Sequence, residues 1–109
     1  MVYWQVYKIW RKIMTQEERV KNYKLFLKTW GQDAQINMCI EEMSELTKAL
    51  CKYFRKKDVG LTPEQIYNIK EEIADVLNMA EQMREIFGYE EIEKIRDEKM
   101  ARTLTRLND

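Results

Sequence analysis

Apolar residues along this 109-residue chain recur every three or four positions, in runs long enough for helices of several turns. Val2, Val6, Ile9 and Ile13 mark a first segment over about 2–13. Thr15, followed three residues later by Glu18, has the form of a capping box and predicts a helix running to Trp30, stopped by Gly31. Asp33 is placed to cap a long helix over about 34–55, which the run RKKDVGL then breaks. Thr62-Pro63-Glu64-Gln65 joins an N-cap threonine, a proline at the first helical position and a glutamine three residues after the cap. It predicts a helix ending at Phe87, with Gly88 as terminator. A last helix covers about 90–107, with Ile92, Ile95, Met100, Leu104 and Leu107 inward. Long helices with short connections predict an all-α antiparallel bundle, one domain spanning 1–109.

The same periodicity puts acids where apolar residues are expected. At about 100° per residue, Glu42 of EEMSEL (41–46) falls inside the apolar arc of its helix and Glu45 at the arc's edge. Glu72 and Asp75 of EEIADV (71–76) repeat the arrangement, while Glu41 and Glu71 point away. Two helices each direct a carboxylate pair, at i and i+3, toward the bundle interior. Burying an uncompensated carboxylate costs several kcal/mol, so something must neutralise the group. Buried lysine or arginine partners, or partial exposure at the arc edges, would do so. A bound cation is the other solution.

Composition narrows the choice. The chain has no histidine, which disfavours zinc and di-iron sites built on imidazole and excludes histidine-based acid–base and nucleophilic schemes. An all-oxygen cluster suits Mg²⁺ or Mn²⁺. No glycine-rich phosphate loop is present. Lysine plus arginine equals aspartate plus glutamate at 19 each, so no overall field favours nucleic acid or an anionic membrane. No apolar run approaches a membrane span or the core of a signal peptide. Cys39 and Cys51 share one helix about 18 Å apart at 1.5 Å per residue, too far for a disulfide, and read as two buried, reduced thiols of a cytoplasmic protein. Tyr3, Trp4, Tyr7 and Trp10 crowd the first segment (1–14) and suggest a subunit contact.

The paired motifs EEMSEL and EEIADVL, with KMARTLTRL at 99–107, resemble the MazG-like all-α nucleoside triphosphate pyrophosphohydrolases over about 30–107. The resemblance implies a four-helix-type core completed by oligomerisation, as a homodimer or tetramer. It also implies Mg²⁺ held by Glu42, Glu45, Glu72 and Asp75, the catalytic residues, for cleavage of a (d)NTP to the monophosphate and pyrophosphate in housecleaning of the nucleotide pool. Lys99 and Arg102 match the family's phosphate-contacting positions. Lys52 joins them from helix geometry alone, and Trp30 and Gln35 are candidates to hold the base. Two other readings remain open: a non-enzymatic helical assembly module, and a relative specific for dUTP or phosphoribosyl-ATP.

Overall fold

The computed structural model describes residues 13–108 as four helices: α1 (Gln16–Trp30), α2 (Gln32–Lys56), α3 (Pro63–Phe87) and α4 (Tyr89–Leu107). No strand occurs among these residues. The aromatic segment containing Tyr3, Trp4, Tyr7 and Trp10 lies outside the described residues.

Both threonine caps form as complete boxes. The Glu18 N–H donates to the Thr15 hydroxyl at 3.1 Å and the Thr15 N–H donates back to the Glu18 carboxylate at 3.3 Å. Thr62 and Gln65 make the same exchange at 2.9 and 3.1 Å. Gly31 and Gly88 each form a whole connection between two helices, with φ of 88° and 117°. A side chain at either position would strain the backbone, so the sharp changes of direction there depend on glycine.

Asp33 does not cap α2. The helix opens one residue after Gly31, whose carbonyl already accepts from the Gln35 N–H, and no side chain caps it. Asp33 sits in the first turn instead, where its charge faces the positive end of the helix dipole.

The chain's main packing unit is the antiparallel α2–α3 hairpin, closed by the turn at 57–62. α1 lies across both of its helices on one face, and α4 touches α3 alone. The core is small. Tyr23, Cys39, Ala49 and Met79 are the buried apolar residues among those described. Ile40, Met43, Leu50, Phe54, Ile66, Ile73 and Leu77 are between 42% and 66% exposed, although helical periodicity places all seven on inward arcs. A hairpin with one further helix on it covers only one side of each broad arc, so the other side stays bare. Cys51 is likewise exposed rather than buried.

On α4, Ile92 is half-buried, but every residue from 94 to 108 is exposed, including Ile95, Met100, Leu104 and Leu107. These side chains do not face an interior because α4 is held to α3 near its start and then runs clear of the hairpin. The holding point is Arg84, only 9% exposed, which pairs with Glu93 and with Glu81 (3.4 Å). Its guanidinium also stacks over the Tyr89 ring, 4.6 Å from the centroid. Among the described residues, no helix is long and apolar enough to cross a membrane.

Candidate metal and ligand site

Glu42 and Glu72 are half-buried in the α2–α3 seam, while Glu41 and Glu71 are exposed. The hairpin's antiparallel register sets Glu42 opposite Glu72 and Asp75. One oxygen from each of these three carboxylates lies within 4.8 Å of the other two. Asp75 and Glu45 are exposed at the rim. Glu45 is not one of the three, yet its charge acts on both Glu42 and Glu72.

Among the described residues, nothing cationic offsets this cluster. No lysine or arginine among them forms an ion pair with Glu42, Glu45, Glu72 or Asp75. Burial, followed by the charges of Asp75 and Glu72, pushes the Glu42 carboxyl above its ordinary range. Burial, followed by Asp75, Glu45 and Glu71, does the same to Glu72. One oxygen of Glu72, Oε2, is buried with no hydrogen-bond partner. Buried acceptors are rarely left unpaired in folded proteins. A hard divalent cation accepts this donor set: carboxylate oxygens alone, close together, with exposed room for water.

The seam carries a cavity on each side of the acids. The larger, of about 700 Å³, forms where α1 crosses the hairpin and lies one helical turn beyond Asp75. Phe26, Trp30, Met38 and Met79 supply apolar wall, and Gln35, Asn78 and Gln82 supply amides. Trp30 is 60% exposed at the mouth, its ring 5.5 Å from that of Phe26. Gln35 is buried. The smaller cavity, of about 300 Å³, lies toward the 57–62 turn and is lined by Lys52, Lys56, Gln65 and Asn68 among others.

Thus Trp30 and Gln35 meet in one cavity and Lys52 lines the other. Lys99 and Arg102 are not brought to the acids, because they sit on the exposed part of α4, which packs on no other described helix. The sequence reading missed Tyr23, Asn78 and Gln82 in the cavity wall. Tyr23 shares its hydroxyl hydrogen between Glu81 (3.1 Å) and the Asn78 carbonyl (3.3 Å). Gln82, 2% exposed, keeps its Oε1 buried and unpartnered. The one available signal was the spacing of Asn78 and Gln82, an amide pair at i and i+4 just past Asp75.

Compared with family models, curated proteins and solved structures, the chain matches none of them.

Proposed function

We propose that this protein is a Mg²⁺-dependent nucleotide pyrophosphohydrolase that cleaves a (d)NTP to the monophosphate and pyrophosphate. The observation that carries the reading is the convergence of Glu42, Glu72 and Asp75 with no cationic partner among the described residues and one orphaned buried oxygen. The resemblance of EEMSEL and EEIADVL to the MazG-like enzymes supports it. So does the order of features along the seam: an amide-lined cavity, then acids, then lysines.

In this reading Glu42, Glu72 and Asp75 hold the ion, with Glu45 at the rim as a fourth oxygen donor. Bound Mg²⁺ or Mn²⁺ would supply charge neutralisation of the triphosphate and a water of lowered pKa. A rim carboxylate, Asp75 or Glu45, then orients the attacking water and takes its proton. The nucleoside occupies the cavity beside Trp30 and Gln35. Lys52, with Lys56, attracts the far end of the triphosphate and stabilises charge on the leaving pyrophosphate.

The active form is a homo-oligomer, a dimer at minimum, joined through the bare face of the hairpin. Ile40, Met43, Leu50 and Phe54 on α2 continue at heptad-like spacing on the side away from α1, and Ile66, Ile73 and Leu77 do so on α3. Pairing two hairpins there gives a four-helix core. The exposed half of α4 carries Lys99 and Arg102 outward, and in this reading they serve the phosphate site of a second copy.

The test is pyrophosphate release from a panel of canonical and damaged (d)NTPs with Mg²⁺, with dUTP and phosphoribosyl-ATP included. Release that disappears in Glu72→Gln supports the reading, and the preferred substrate places the enzyme among its relatives. No release from any substrate, with unchanged stability across millimolar Mg²⁺ and Mn²⁺, leaves a non-enzymatic assembly module.

A further inference from the structure

The wall of the large cavity is mostly apolar, but its lining carries one charge. Arg19, half-buried on α1, belongs to it, and no carboxylate does. Among the described residues Arg19 forms no ion pair. Its charge acts on the phenol of Tyr23, whose hydroxyl hydrogen is shared between Glu81 and Asn78. Glu81 itself is taken by Gln16 at 3.3 Å and Arg84 at 3.4 Å. Asn78 is one turn past Asp75, which puts Arg19 within electrostatic reach of the cavity end nearer the acids. A guanidinium there, among neutral and apolar neighbours, offers a charge-assisted contact to an anion that enters the cavity.

The same face of α1 carries the ring surface. Arg19, Asn22, Phe26 and Trp30 follow one another at helical spacing, and all four line the cavity. Trp30 is largely exposed at the mouth, with its ring 5.5 Å from that of Phe26. An exposed tryptophan at a cavity mouth is a platform for a planar ring. Phe26 lies seven residues from Arg19, about 10 Å along the axis at 1.5 Å per residue. That separation suits a ligand with an aromatic body at one end and an anionic group at the other. A volume of about 700 Å³ is enough to take such a molecule.

We infer that this cavity is a metal-independent site for a nucleoside monophosphate, with the base against Trp30 and the single phosphate on Arg19. That the ring is a nucleoside's rests on the pyrophosphohydrolase reading; the pairing of a ring with an anionic group rests on Arg19 and Trp30 themselves. One guanidinium balances one phosphate group, not the chain of charges on a triphosphate. The next groups along the seam are Glu42, Glu72 and Asp75, whose repulsion of further phosphates only a cation relieves. In the proposed reaction Arg19 therefore holds the α-phosphate, which stays with the nucleoside. The monophosphate product then competes with substrate for the same cavity.

The experiment measures metal-free binding to the full chain by calorimetry at fixed ionic strength. The probes are the deoxynucleosides, their 5′-monophosphates and ribose 5-phosphate, and pyrophosphate release from the triphosphates with Mg²⁺ is followed in parallel. For at least one base, the wild type should bind the monophosphate about tenfold or more tighter than the nucleoside, the scale of one hydrogen bond to a charged group. Ribose 5-phosphate, which lacks the ring, should bind more weakly than that monophosphate by a similar factor. Arg19→Gln should bring the monophosphate down to the nucleoside's affinity, and Arg19→Lys should keep part of the difference. Trp30→Ala should weaken nucleoside and monophosphate alike, by about fivefold or more, and leave their ratio unchanged. A merely structural arginine would lower the melting temperature on substitution without moving that ratio. Monophosphate selectivity without any pyrophosphate release sinks the hydrolase reading and leaves the site standing. Equal affinity for nucleoside and monophosphate in the wild type, or the same ratio in Arg19→Gln, overturns the inference whether or not triphosphates are cleaved. So does ribose 5-phosphate binding as tightly as every monophosphate.

Discussion

Glu42 on α2 and Asp75 on α3 hold carboxylate oxygens within 4.8 Å of each other across the hairpin seam, with Glu72 completing the group. Like charges at this separation oppose folding of the hairpin unless a cation intervenes. Two opposite effects of one substitution follow. In metal-free protein Glu72→Gln should raise the melting temperature, since it removes a repelling charge. In wild type, Mg²⁺ or Mn²⁺ at ten times its dissociation constant should stabilise by about 1.4 kcal/mol. That corresponds to roughly 5–10 °C for a domain of this size. Glu72→Gln and Glu45→Gln should lose most of the metal-dependent rise. Differential scanning fluorimetry with and without metal reads both signs, and a flat response in wild type counts against the ion.

The doubled acids offer an internal control. Glu71 and Glu72 are neighbours in sequence, but Glu71 is exposed and Glu72 is half-buried with an orphaned oxygen. Glu72→Gln should lower kcat by about 100-fold or more, the scale of losing a principal electrostatic contact to the reacting group. Glu71→Gln should stay within about threefold of wild type, as expected of a solvated surface charge. Equal losses from the two would remove the distinction on which the site assignment rests.

Helix ends and the inward phase of Glu42 and Glu72 were legible because both are local, whereas Glu45 and Asp75, read at the arc edges, are exposed. Thr15 with Glu18, Thr62 with Gln65, and the glycines at 31 and 88 each act within one turn of chain. The capping role of Asp33 was misread for an equally local reason: the turn at Gly31 starts the helix before Asp33 is reached. The cavity was not legible. Tyr23, Asn78 and Gln82 meet only because α1 crosses the hairpin on one particular side, and a periodicity confined to single helices does not choose between sides. The same ambiguity hid Arg84, whose burial depends on Glu93 and Tyr89 beyond the Gly88 turn. It also made every apolar arc look fully inward. Lys99 and Arg102 matched a motif in sequence, yet their helix carries them away from this chain's own acids.

Tyr23 gives the fold a dependence on alkaline pH. Burial first, then the hydrogen bond to Glu81 and its negative charge, push the phenol up from 10.0 to about 12. The folded state therefore holds this proton more tightly than the unfolded chain does. The stabilisation is fully present below pH 10 and is lost as pH rises from there through about 12. Chemical-denaturation midpoints should fall over that window in wild type. Tyr23→Phe should lower stability at neutral pH, because Glu81 and Asn78 lose a donor, while flattening the alkaline decline. An alkaline decline of equal steepness in both proteins would assign it to another group.

Assembly is the prediction with the widest reach, because the hairpin leaves apolar side chains of both its helices exposed. Ile40, Met43 and Leu50 on α2 and Ile66, Ile73 and Leu77 on α3 are each at least 42% exposed. They form two stripes along a pair of 25-residue helices. Solvent-exposed apolar patches of this extent mark interaction sites in folded proteins. A second hairpin laid on the first would bury the remaining half of each such side chain, worth roughly 1 kcal/mol apiece, over an interface of the standard size of about 800 Å² per partner. Replacing Ile40 or Leu77 with lysine should therefore raise the dimer dissociation constant by at least about tenfold per substituted site. Helicity should be kept, since both positions lie mid-helix and lysine is a good helix former. Light scattering at micromolar concentration should give at least twice the 13.3 kDa chain mass for wild type and a shift toward the chain mass for the lysine variants. A wild-type chain that scatters as a 13.3 kDa monomer would leave the stripes uncovered and Lys99 and Arg102 with no second site to reach.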